Sequence, residues 1–207
     1  NKPLATDVQL RKIAADTFGF SGAHLESLAN EAAIAALREK SKILQKKHFC
    51  ESLDKVIMGE KLDRRPGKDE CQRIAIHEIG HALISEHLRP GSVSTITIIP
   101  RGKAMGYVRQ TPEEDSYIYT KEYLEGQIAV LLGGAISEEE LLGSRSTGAA
   151  NDFQQAVELA KKIIKSGMSS LGIVSIKDLP GGTLHEGLKE ILKVQEESVR
   201  NIIIKYK

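Results

Sequence analysis

The stretch RIAIHEIGHALISEHL, residues 73–88, sets two histidines and a glutamate into what is otherwise an apolar helical stripe. Ile74, His77, His81, Ile84 and Leu88 recur at steps of three, four, three and four, the spacing of one helix face. That spacing predicts a helix with both imidazoles pointing inward. Buried polar groups need partners, and side chains one turn apart are close enough for two rings to share a small cation. Glu78 follows His77 by about 100° around the helix, a position that flanks the metal face as a general base without competing as a ligand. Gly80 leaves the backbone bare for the close approach of a strand or a substrate. Zinc is the natural ion for neutral imidazole ligands, and it brings the acidity of water to near neutral pH.

With 6 histidines among the 207 residues, the HExxH pattern is expected by chance roughly 0.02 times. The competing reading is a helix with two satisfied core histidines and an exposed Glu78. It would leave paired inward imidazoles without a ligand, an awkward core. A catalytic zinc takes three protein ligands and keeps a fourth position open, so a third ligand is expected from elsewhere in the fold. The candidates are Glu138, Glu139 and Glu140 in GGAISEEELLG, and Asp152 in STGAANDFQQA. Acidic residues near a helix start commonly serve the helix dipole, and an EEE run commonly faces solvent. Spacing alone does not choose among them.

The chain is expected to divide near GEKLDRRPGKDE. Residues 7–57 read as helical throughout: a Thr6/Asp7 start signal, apolar positions Leu25, Leu28, Ala32 and Ala36, then KHFCESLDKVIMG. A helical unit over 1–62, a Pro/Gly-bearing linker over 63–68 and a second domain over 69–207 follow from this. In the second domain, STITIIPRGKAMGYVRQ predicts a β-hairpin turning at Pro100 to Lys103. Helices are expected over 120–142, over 147–167, and after the loop KDLPGG. The fold class is therefore mainly α with a small β-hairpin.

Lys+Arg number 29 against Asp+Glu 28, so no charge excess favours nucleic acid or an anionic membrane. Cys50 and Cys71 form no CxxC pair, which fits a reducing compartment and two buried thiols and argues against a thiolate zinc site. The longest apolar run, around Ile128 to Ile136, is far shorter than a membrane span. The opening NKPLATDVQL carries no initiating Met and no targeting character, and is expected to be the start of a piece of a longer protein.

HEIGHAL, TIIPRGKAMGYV, LLGGAISEEELLG and STGAANDFQQAVELAKKII, in that order, resemble the peptidase domain of the FtsH family, membrane-anchored ATP-dependent zinc metalloproteases. TFGFSGAHLESLANEAAIAA resembles the helical lid that ends the family's AAA+ module. The resemblance implies a helical AAA+ lid followed by a mostly helical zincin-type peptidase domain, shortened at its C-terminus. It implies Zn2+ on His77, His81 and Asp152, the aspartate of the TGAxND segment, with Glu78 as catalytic base and with Glu138 and Glu139 supporting the site. Ile79 stands where the family commonly has alanine. Gly22 and Ala23 match the lid motif beside bound nucleotide. No GxxxxGK[ST] loop is present, so ATP and Mg2+ are expected only with the nucleotide-binding core of the intact protein. The resemblance further implies unfolded polypeptide substrates, a homo-hexameric ring, no nucleic acid, and a place on the cytoplasmic side of a membrane, held by segments outside this chain. The edge around Gly106 to Val108 is expected either to align substrate by β-augmentation or to be a core strand. Two rival readings are a non-catalytic ring-forming scaffold with a structural metal, and a zinc hydrolase acting on something other than peptides. The first is disfavoured because a closed four-ligand site needs no base such as Glu78.

Overall fold

The computed structural model describes residues 2–62, 66–102, 104–110 and 118–207. Residues 63–65 of the expected linker, and Lys103 of the expected turn, lie outside the described residues. The chain is mostly α-helical with one two-stranded antiparallel sheet, and it separates into two compact units. One comprises residues 1–65 and 99–106, the other residues 66–98 and 107–207. The units expected from sequence differ from this division in the segment Ile99–Gly106. Its backbone pairs with the end of the first unit: Leu62 N–H donates to the Pro100 carbonyl at 2.9 Å and Gly102 N–H to that of Glu60 at 3.4 Å.

The first unit holds α1 (Leu10–Asp16), α2 (Gly22–Arg38) and α3 (Lys46–Met58). Ser21 caps α2 by accepting from His24 N–H, and Leu28, Ala32 and Ala36 form its buried stripe. Leu25, expected on that stripe, is exposed. The Thr6/Asp7 signal does not start α1, whose N-cap is Gln9. Asp7 instead accepts from Lys46 N–H at 3.2 Å, satisfying a free donor at the start of α3. His48 is buried on α3. Its Nδ1 accepts from Gln45 N–H at 3.0 Å and its Nε2 lies 3.1 Å from Glu39. Cys50, expected to be buried, is exposed, and Cys71 is half-buried.

In the second unit, α4 (Lys68–Leu88) is followed by β1 (Val93–Thr97), β2 (Tyr107–Gln110), α5 (Lys121–Leu142), α6 (Ala150–Lys165) and α7 (Gly181–Tyr206). α7 begins inside the expected KDLPGG loop, because Gly181 and Gly182 are already helical. The strands pair antiparallel with Ile96 opposite Val108 and a bulge between Val93 and Thr95. Glu86, near the end of α4, accepts from Gly91 and Val93 N–H groups and so anchors the start of β1. α5 is framed by a Thr120 N-cap and by Gly143 in the left-handed region (φ 78°), where glycine alone carries no steric cost. It is buried along most of its length, from Leu124 to Glu138, and its apolar residues pack with Ile84 of α4, Ile163 and Ile164 of α6 and Val199 of α7. A helix apolar on nearly every face is the one that others surround.

Candidate metal centre

α4 and α5 meet through glycine. A Cβ on Gly80 would lie 2.4 Å from the Gly133 carbonyl oxygen, and one on Gly133 would lie 2.7 Å from that of Gly80. The bare backbone predicted at Gly80 is met by a helix, not by a strand or a substrate. Gly134 carries no side chain for a different reason. A Cβ there would lie 2.6 Å from His77 Nε2 and 2.7 Å from His81 Nε2.

This close approach holds both imidazoles against α5. His77 is buried and His81 half-buried. His77 Nδ1 lies 2.7 Å from Glu138 Oε1, and His81 Nδ1 lies 2.7 Å from the Val130 carbonyl oxygen. A carbonyl only accepts, so His81 donates from Nδ1–H, and the buried carboxylate likewise takes Nδ1–H from His77. Both Nε2 atoms are then left with their lone pairs, 3.0 Å apart. Asp152, from the first turn of α6, completes the group with Oδ2 at 3.2 Å from His77 Nε2 and 3.5 Å from His81 Nε2. One ligand atom from each of the three residues falls within 4.8 Å of the others.

Three converging electron pairs repel unless something positive joins them. Burial disfavours charge on Asp152, yet where a proton sits on Nε2 of either ring, its hydrogen bond and positive charge outweigh burial and hold this carboxyl at about 2. Burial also opposes a charged His77, but the carboxylates of Asp152 and Glu138 outweigh it and raise the ring above its ordinary value. A field that invites a proton between Nε2 and carboxylate invites a cation there equally. Two neutral imidazoles and one carboxylate, with each Nδ1–H held from behind, are the donor set of an open zinc site. The residues present fit that ion.

Glu78 is buried, against the exposed position of the competing reading. Burial raises its carboxyl, while the nearby His81 and His77 pull it back. Of the EEE run, Glu138 is 1% exposed. Burial works against its charge, but donors from Arg73, Ser146 and His77 outweigh that and keep its carboxyl low. Glu139 and Glu140 turn away and pair with Arg200. Ile79 is exposed. Gly22 and Ala23 lie exposed in the first turn of α2, in the unit that does not hold this donor group. Sequence reasoning passed over the Val130 carbonyl, Arg73, Ser146 and the Gly133-Gly134 pair. Only the glycines left a signal, since two in mid-helix cost stability that close packing must repay.

Residues 65–203 match the model of peptidase family M41, and residues 7–51 match that of the AAA+ lid domain. The ATP-dependent zinc metalloprotease FtsH of Acidobacterium capsulatum is 45% identical over 175 residues, 82% of this chain and 27% of that protein. Its namesake in Ralstonia pickettii is 44% identical over 183 residues, 86% of this chain and 26% of that protein. The chain therefore spans about a quarter of the length of these relatives. Among the described residues no helix is long and apolar enough to cross a membrane. Two-thirds of the chain lies under the first match, in which His77, Glu78, His81 and Asp152 all fall, and the chain belongs to peptidase family M41.

Proposed function

We propose that this chain is the peptidase part of an ATP-dependent zinc endopeptidase, with residues 69–207 hydrolysing polypeptide and residues 1–62, joined through 63–68, serving as the AAA+ lid. The observation that carries the reading is the convergence of His77 Nε2, His81 Nε2 and Asp152 Oδ2, with both Nδ1 atoms engaged behind them. His77, His81 and Asp152 would hold zinc. The ion supplies a Lewis acid that polarises a peptide carbonyl and makes water a stronger acid. Glu78 takes the proton of the attacking water on its carboxylate and delivers it to the leaving amine, a role that the burial-raised carboxyl suits. Glu138 accepts from His77 Nδ1–H and so keeps Nε2 free as a ligand atom. Substrates are unfolded chains, because a motor of this class delivers extended polypeptide. Gly22 and Ala23 of the lid face nucleotide when the rest of the ATPase module supplies ATP and Mg2+. The assembled protein is a homo-hexamer on the cytoplasmic side of a membrane, as the resemblance to the FtsH family implies, and the match of residues 7–51 to an AAA+ lid supports its ATPase module.

The deciding experiment is elemental analysis beside digestion of casein, an unfolded protein. Wild type should hold about one zinc per chain, Asp152→Ala should lose it, and Glu78→Gln should keep it while losing at least about 100-fold in activity. A wild-type chain with neither zinc nor cleavage would overturn the reading in favour of a non-catalytic scaffold.

A further inference from the structure

We propose that Arg73 and Ser146 are positioning residues that lock the loop leading to Asp152 onto the helix bearing His77, an inference that rests on the metal-site reading above. The donors come from separate elements: both histidines from α4, Asp152 from α6. Between α5 and α6 the chain passes through Gly143–Ala149, which starts at the left-handed Gly143 and ends in a 3₁₀ turn over Thr147–Ala149. Left to itself, such a loop sets no fixed distance between α4 and the first turn of α6.

Two clamps fix it, and both run through Glu138. Arg73 stands one helical turn before His77, on the same side of α4. Its Nη1 donates to Glu138 Oε2 at 2.8 Å and also to the Ser144 carbonyl at 2.7 Å. Its Nη2 reaches Ser144 Oγ at 3.4 Å. One guanidinium thus holds the last turns of α5 and the loop beyond them. Ser146 Oγ donates to Glu138 Oε1 at 3.0 Å, the oxygen that also takes His77 Nδ1–H. It accepts in turn from Gly148 N–H at 3.3 Å, which opens the 3₁₀ turn running into α6. A continuous path therefore links His77, Glu138, Ser146, Gly148 and Asp152.

Ligand geometry tolerates displacements of about 0.5 Å, so loosening this path misplaces Asp152 against two imidazoles that α5 already holds still. Arg73 suits the task because its planar fork serves two acceptors at once, whereas a lysine is a single point of charge. Arg73 and Ser146 act through Glu138 and the loop, and are positioning residues, not catalytic ones.

The test measures zinc affinity by competition with a chromophoric chelator, and the melting temperature of the zinc-free protein, for the 207-residue chain and its Arg73→Gln, Arg73→Lys and Ser146→Ala variants. Arg73→Gln should weaken zinc roughly 10- to 100-fold, Arg73→Lys less, and Ser146→Ala several-fold, each by more than any drop in zinc-free melting temperature accounts for. If Arg73→Gln does not fold, Arg73→Lys and Ser146→Ala decide. Zinc affinities within twofold of wild type in the folded variants would overturn the inference, as would losses that only track a lower zinc-free melting temperature. A wild-type chain that binds no zinc overturns the metal reading and this inference with it. A wild-type chain that binds zinc beside variants that bind it equally well overturns this inference alone.

Discussion

At the scale of single residues, the centre depends on what is missing at Gly134 as much as on what is present at His77 and His81. The rings are held from behind by Glu138 and Val130 and from the α5 side by a backbone with no Cβ. Gly134→Ala places a methyl under 3 Å from ring atoms of both histidines, a contact no unstrained structure keeps. The rings must then move, and their Nδ1 hydrogen bonds must lengthen. Zinc affinity of Gly134→Ala, measured by chelator competition, should fall at least about 10-fold, in the range seen when groups supporting metal ligands are lost. Circular dichroism should still show a helical protein, since alanine is the better helix former.

At the scale of elements, the C-terminal end of α5 is tied to α7 by charge. Glu139 pairs with Arg145 and with Arg200, each at about 2.7–2.8 Å, and Arg200 also bonds Glu140 and Glu196. Hydrogen bonds from Arg145 and Arg200 pull the Glu139 carboxyl below its ordinary value of 4.5. A carboxyl lowered in the folded state stabilises that state above its unfolded value, and the contribution disappears as pH falls from 4.5 through the folded value. Glu139 is about one-third exposed, so solvent screens the network and its worth is about 0.5–1 kcal/mol. Urea unfolding should therefore show Glu139→Gln less stable than wild type at pH 7. The two should converge as pH drops below 4.5, and 1 M salt at pH 7 should narrow the gap as well.

At the scale of the whole molecule, the chain carries two separate cores. One centres on Ala32, Ala36 and Leu44, the other on α5 and the helices around it. The three converging donors, His77, His81 and Asp152, belong to the second unit. A ligand that binds only the folded state stabilises by about 4 kcal/mol at 1,000 times its Kd, and a domain of this size gains roughly 3 °C per kcal/mol. Calorimetry of the zinc-loaded chain should show the transition of the larger unit about 10 °C higher than after chelation. No shift of that transition would contradict a metal held by residues 77, 81 and 152.

The helix that carries His77 and His81 on one face, the strand pair, the order of helices and the membership in a peptidase family were legible in the sequence, because each rests on local periodicity or a short motif. His77 and His81 share a helix face whatever the rest of the chain does, since 3.6 residues per turn sets them one turn apart. The third donor was different. Periodicity treated Glu138, Glu139, Glu140 and Asp152 alike, and only the resemblance preferred Asp152. Folding brings Asp152 to the imidazoles across a separation of more than 70 residues and buries Glu138 behind His77 while Glu139 and Glu140 turn toward Arg200. The burial of Glu78, the capping of α3 by Asp7 and the return of residues 99–106 to the first unit were likewise decided by packing. They join residues distant in sequence, and no local pattern records which distant partner a side chain will meet.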